Sequence, residues 1–112
     1  MQKDDLVYAG HMLDMARKAL SKVQGKTKDD FEQDENLEMA LVYLIQTIGE
    51  AARKVSADFQ RVHPEIPWSE IIGMRHKVVH DYLHVNYNVV WQVATQHLQP
   101  LVTCLEQFVP EA

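Results

Sequence analysis

Cysteine is nearly absent from this 112-residue chain, Cys104 being the only one. No intramolecular disulfide can form, and with Leu101, Leu105 and Phe108 around it Cys104 reads as a buried, reduced thiol. Glycine and proline are scarce, four of each, which is too few for the turn-rich connections of a β-sandwich. No apolar run approaches the ~20 residues that span a bilayer. Met1-Gln2-Lys3-Asp4-Asp5 opens without the apolar stretch of a secretory signal. A cytoplasmic protein without membrane association is the expectation. An excess of positive charge is also lacking. With 11 Lys and Arg against 16 Asp and Glu, net −5, the chain cannot coat nucleic acid by charge alone.

What is present is an ordinary globular composition, 46% apolar and 24% charged, over a length that suits one domain, residues 1–112. A chain of this size buries roughly two-thirds of its unfolded surface, enough for a core without staples. Charge is unevenly spread. Residues 85–112 hold no Lys or Arg, whereas residues 51–84 hold five, with four of the six histidines between His63 and His84. Cationic and titratable chemistry gathers in that middle stretch.

Apolar spacing predicts helices throughout. Leu6, Leu13 and Leu20, with Ala9, Ala16 and Val23, mark a first helix over residues 4–24, capped by Gly25. Thr27, Asp29 and Asp30 suit a short extra turn before Phe31. A second long helix is expected from Asp34 to His63, where Pro64 stops it, with Gly49 inside to admit a close neighbour. A third runs from Pro67 or Trp68 to about Leu83. Asn86 caps a last helix, 87–109, kinked at Pro100, with Val90, Val93, Ala94, His97, Leu101, Leu105 and Phe108 inside. Short links then give an all-α, antiparallel up-down bundle of four main helices.

The candidate site is Arg75-His76-Lys77-Val78-Val79-His80-Asp81-Tyr82. On a helix Arg75 and Tyr82 share one face two turns apart, while Arg75 and His80 lie about 140° apart at ~100° per residue. That angle closes more easily if the helix loosens near His80 or a second subunit supplies the other group. The chemistry suits phosphodiester cleavage. A guanidinium grips phosphate oxygens in a fork and stays charged. Histidine exchanges protons near neutrality, and RNA carries its own nucleophile in the 2′-hydroxyl.

Arg75-x4-His80-x-Tyr82 resembles the Arg-x4-6-His signature of HEPN-domain ribonucleases, in the form found in HepT-type toxins. Ile48-Gly49-Glu50-Ala51-Ala52, His63-Pro64-Glu65-Ile66-Pro67-Trp68, Ile71-Ile72-Gly73-Met74-Arg75 and Val90-Trp91 follow that family's landmarks in order. The resemblance implies a four-helix HEPN fold, a homodimer with two motifs facing each other, and cleavage of RNA by Arg75 and His80 without a metal or other cofactor. It also implies a partner, a nucleotidyltransferase antitoxin that silences the toxin by transferring AMP to Tyr82. The chain departs from the pattern at His76 and Asp81, where members often carry Asn and Gly. Asp81 adds negative charge beside the motif, which bears on phosphate affinity and the choice of RNA.

Plainer readings stand beside these. Arg75 could be a surface residue paired with Glu70 or Asp81, His80 a capping residue, and Tyr82 a packed ring. Glu50 and Arg53 read first as a helix-face pair, with Glu50 and His76 as possible supporting residues of the site. Trp68 and Trp91 read as core or interface anchors, and His97 as a core histidine. His76, His80 and His84 form an i, i+4, i+8 ladder that could hold a metal on a helix. A different class remains open: a non-catalytic module of the same fold that binds a nucleotidyltransferase.

Overall fold

Helices dominate the described residues, and several start where a side chain satisfies their free N–H groups. The computed structural model describes residues 3–81 and 84–110, without the side chains of Lys3, Val79, His80 and Asp81. Helix α1, Lys3–Val23, ends at Gly25 with φ +76°, a left-handed conformation that glycine adopts at no steric cost. Thr27 then opens α2, Lys28–Glu32. Its hydroxyl accepts from Asp30 N–H at 3.1 Å while the Asp30 carboxylate accepts from Thr27 N–H at 2.9 Å. This reciprocal cap supports a helix too short to persist alone. It seats the fully buried Phe31 against Trp91, ring centroids 5.2 Å apart. Truncating such a ring to alanine costs about 3–5 kcal/mol.

Helix α3, Glu35–Lys54, starts at Asp34, whose carboxylate accepts from Leu37 N–H. It buries Leu37, Leu41, Leu44, Ile45 and Ile48, the stripe that the spacing predicts. It does not continue to His63. Val55 and Ser56 are extended, and Ser56 caps a separate helix α4, Ala57–Val62. The cause is Asp5, buried at 3% exposure. Its carboxylate accepts from Ser56 N–H at 2.8 Å and from the Ser56 hydroxyl at 2.7 Å. A buried carboxylate must be bonded, and an amide that serves Asp5 is withdrawn from the α3 ladder. Asp5, in the first turn of α1, therefore breaks a helix 51 residues away.

The connector His63-Pro64-Glu65-Ile66-Pro67-Trp68 is a structural staple. The His63 carbonyl accepts from Ile66 N–H at 3.2 Å and from the Trp68 indole N–H at 2.9 Å. Trp68 is thereby buried at the first turn of α5, Trp68–Val78. This helix stops at Val78, short of the expected Leu83. The Val78 carbonyl accepts from Asn86 N–H at 2.7 Å. Strands β1, Val79–Asp81, and β2, His84–Val85, pair antiparallel, with Val79 opposite Val85 and Asp81 opposite His84. The β-branched Val79 and Val85 suit this ribbon. The register slips within β1, so that His80 is the extra residue of a bulge-type irregularity.

Asn86 caps the last helical body as expected, accepting from Val89 N–H. That body comprises α6, Tyr87–Gln92, a π-helical turn, Val93–His97, and α7, Leu98–Glu106. Leu98 N–H reaches back to the Val93 carbonyl. Pro100 has no N–H for the Gln96 carbonyl and its ring crowds that group, which accounts for a widened turn just before it. The widening moves the inward position by one residue. Leu98 is buried and His97 is exposed, so His97 is not the core histidine that regular spacing predicts. Cys104, expected to be buried, is half-buried and free.

Helix α3 packs on both α1 and α5, and α1 also packs on α7. One continuous core results, with Met12, Phe31, Leu41, Ile45, Ile48, Ile66, Leu98 and Leu105 fully enclosed. Among the described residues no helix is long and apolar enough to cross a membrane.

Candidate active site

The α3–α5 contact positions Arg75. At Gly49 the two helices approach so closely that an added Cβ would lie 3.2 Å from the Ile71 carbonyl oxygen and 3.2 Å from Arg75 Cγ. The absence of a side chain at position 49 gives the arginine stem its seat. The guanidinium emerges half-exposed and is ion-paired through Nη1 to Glu50 Oε2. The other carboxylate oxygen of Glu50, Oε1, accepts from Arg53 Nη2 at 2.5 Å. Glu50 therefore bridges two guanidiniums, one from its own helix and one from α5.

This arrangement lowers the pKa of Glu50. The hydrogen bond from Arg53 is the largest influence and the charges of Arg53, Arg75 and Lys54 add to it, so the carboxyl stays ionised below the usual glutamate range despite partial desolvation. Arg75, His76 and Lys77 all occupy the last turn of α5, where the helix dipole favours positive charge. His76 and Lys77 are exposed.

The structure thus brings Arg75 and Glu50 together, so a described partner of Arg75 is Glu50 and not Glu70. The backbone of His80 lies in β1, beyond the end of the helix, so the helix does loosen between the two motif residues. The side chain of His80 and the whole of Tyr82 lie outside the described residues, as does the side chain of Asp81. The two-turn relation of Arg75 to Tyr82 cannot hold as drawn, because α5 ends at Val78. For the same reason the histidine ladder is not helical: His76 is on α5, His80 on β1 and His84 on β2. Among the described residues no group of three or more His, Cys, Asp or Glu is placed to hold a metal ion.

A separate groove of about 420 Å³ lies between α5 and the last helical body. Glu70, Met74 and Lys77 line one side and His97, Leu101 and Cys104 the other. Arg75 does not line it, since it points toward α3. From sequence Arg53 reads first as a helix-face partner of Glu50, with a supporting role at the site second. The signal that could have linked it to the site is Glu50 itself, whose second partner lies 25 residues away.

Over 94 residues the chain is 34% identical to "Putative RNase TTE0752" of Caldanaerobacter subterraneus subsp. tengcongensis, covering 84% of each protein. Over 73 residues it is 37% identical to "Probable ribonuclease HepT" of Thermococcus cleftensis, covering 65% of this chain and 66% of that one. No solved structure matches the chain. Residues 12–108, which include Glu50, Arg53 and Arg75, match the family model described as ribonuclease HepT-like, and the chain belongs to that family.

Proposed function

We propose that this chain is a metal-independent endoribonuclease, the toxin of a toxin–antitoxin pair, which cleaves RNA with Arg75 and His80. The observation that carries this reading is Arg75. The arginine of the Arg-x4-His pattern stands half-exposed in the last turn of α5, with its stem fixed over Gly49, inside the stretch that matches a ribonuclease family. Its guanidinium would hold the non-bridging oxygens of a phosphodiester. The ribose 2′-oxygen then attacks phosphorus and loses its proton, the bond to the 5′-oxygen breaks, and that oxygen gains a proton. The products are a 2′,3′-cyclic phosphate and a 5′-hydroxyl. His80 carries one of the two proton transfers, a role worth about 10²–10⁴-fold in rate. His76, next in sequence, is a candidate supporting residue, and Glu50 holds the guanidinium of Arg75 in the free protein.

In this reading α1, α3 with α4, α5, and α6 with α7 are the four bodies of a HEPN bundle acting in the cytoplasm. One chain supplies one motif, so two copies form an isologous homodimer with their motifs facing. The cognate nucleotidyltransferase antitoxin silences the dimer by AMP transfer to Tyr82. The test is cleavage of total cellular RNA by the purified protein with and without EDTA. Wild type is expected to cleave in both, and Arg75→Ala and His80→Ala to lose cleavage while keeping their helical circular dichroism. Full activity in either variant would overturn the catalytic assignment. An inactive wild type that still binds its nucleotidyltransferase would make the chain a binding module. A strict monomer in light scattering, fully active, would remove the dimer.

A further inference from the structure

The edge between α3 and α5 carries an anion site that is already filled by the protein's own carboxylate. Glu50 presents one oxygen to Arg53 and the other to Arg75. The two non-bridging oxygens of a phosphodiester have nearly the spacing of the two oxygens of a carboxylate, and both are acceptors of the same guanidinium fork. All three side chains are open to solvent, 58% exposed for Arg53, 46% for Arg75 and 36% for Glu50. Ion pairs this exposed contribute little to stability, so an incoming phosphate can displace the carboxylate without breaking the fold.

We infer that Arg53 and Arg75 together form a two-guanidinium phosphate site, in which Glu50 is the placeholder of the free protein and an RNA phosphate its replacement. The inference rests on the ribonuclease reading and adds Arg53 as a second phosphate-binding residue. Charge supports the exchange. Arg53, Arg75 and Glu50 sum to +1, and one phosphate brings the group to neutrality. Lys54, next to Arg53, has its ammonium 5.9 Å from the centre of the Tyr8 ring, so the cation facing the site from α3 is Arg53. Helix geometry agrees, since positions 46, 50 and 53 share one stripe of α3. The Arg53 hydrogen bond holds the carboxyl of Glu50 below the usual glutamate range, so the placeholder is ionised near neutrality.

The experiment measures RNA binding in a His80→Ala background, where the RNA is not cut, using a fluorescent single-stranded oligonucleotide over a range of salt. Arg53→Ala is expected to weaken binding about three- to ten-fold and to lower the slope of log K against log salt by about 0.7, the share of one single-strand phosphate contact. Arg53→Lys should keep the slope and lose part of the affinity, because the charge remains and the fork does not. Glu50→Gln should tighten binding several-fold, since it removes the competing charge. Unchanged slope and affinity in Arg53→Ala would overturn the inference and leave the ribonuclease reading standing. Weakening by Glu50→Gln to the level of Arg75→Ala would make Glu50 a positioning residue and overturn the placeholder. Absence of RNA binding in every variant, with folding intact, would remove the ribonuclease reading and this site with it.

Discussion

Gly49 and Arg75 are fitted to each other: the stem of the arginine occupies the space that a side chain at position 49 would take, 3.2 Å from the position of its Cβ. The Ile71 carbonyl is equally close and, being backbone, yields only if α5 moves. Gly49→Ala therefore sets two effects against each other. Helix propensity favours alanine by about 1 kcal/mol, while crowding in a packed contact costs about 1–3 kcal/mol. Net stability is expected to fall by no more than about 2 kcal/mol, whereas RNA cleavage falls further because Arg75 is displaced. Urea unfolding beside a cleavage assay separates the two, and a more stable, fully active Gly49→Ala protein would show that the seat does not position Arg75.

The break between α3 and α4 depends on one buried carboxylate. Asp5→Ala leaves Ser56 N–H and its hydroxyl without their acceptor, and hydrogen bonds to a charged group are worth about 1.5–3 kcal/mol. Loss of about 2–4 kcal/mol is expected, visible as a lower urea midpoint. Ser56→Ala keeps the amide bond to Asp5 but loses the hydroxyl's bond to Asp5 and the cap to Phe59, so it should cost about 1–3 kcal/mol, less than Asp5→Ala. Equal effects of the two substitutions would contradict this ordering.

Stability should fall in acid with a sign that Glu50 sets. Its folded-state pKa is lowered, chiefly by the hydrogen bond from Arg53. Its contribution is therefore present above the unfolded glutamate value of about 4.3 and is lost as pH drops through the lowered folded value. Glu38 has the opposite sign. Burial, then the charges of Glu35, Glu32 and Asp34, raise it, so its contribution is present at low pH and is lost as pH rises through the raised value. Glu38→Gln should be more stable than wild type near neutrality and lose that advantage in acid, whereas Glu50→Gln should flatten the acid limb. Urea midpoints measured from pH 3 to 8 give both curves.

Tyr82 is the expected point of regulation. An AMP group there would add a negative phosphodiester and bulk, repelling RNA by like charge. Tyr82→Phe should remain folded and escape inactivation by the nucleotidyltransferase and ATP. Intact-mass measurement after incubation decides it, and an adduct of equal yield on Tyr82→Phe would place the modification elsewhere.

Much of this was open to a reader of the sequence because its causes are local. Gly25 after α1, Thr27 with Asp30, and Asn86 before α6 are signals a few residues long, acting on the backbone beside them. The same holds for Arg75-x4-His80-x-Tyr82 and for the apolar stripe of α3. Ser56 followed by Asp58 is also a helix-start signal, but unbroken apolar spacing across Val55 and Phe59 concealed it.

Tertiary structure decided the rest, because the partners are far apart in the chain. Only folding brings Asp5 to Ser56, and the resulting buried bonds outweigh the helical periodicity there. The ribbon that ends α5 at Val78 depends on pairing with residues 84–86. The π turn before Pro100 exchanges His97 for Leu98 in the core, a one-residue shift that regular spacing cannot express. The partner of Arg75 was undetermined in the same way. Residue types show that an arginine can bind an anion, but which carboxylate occupies it depends on how closely α5 approaches α3, and the missing Cβ at Gly49 sets that distance.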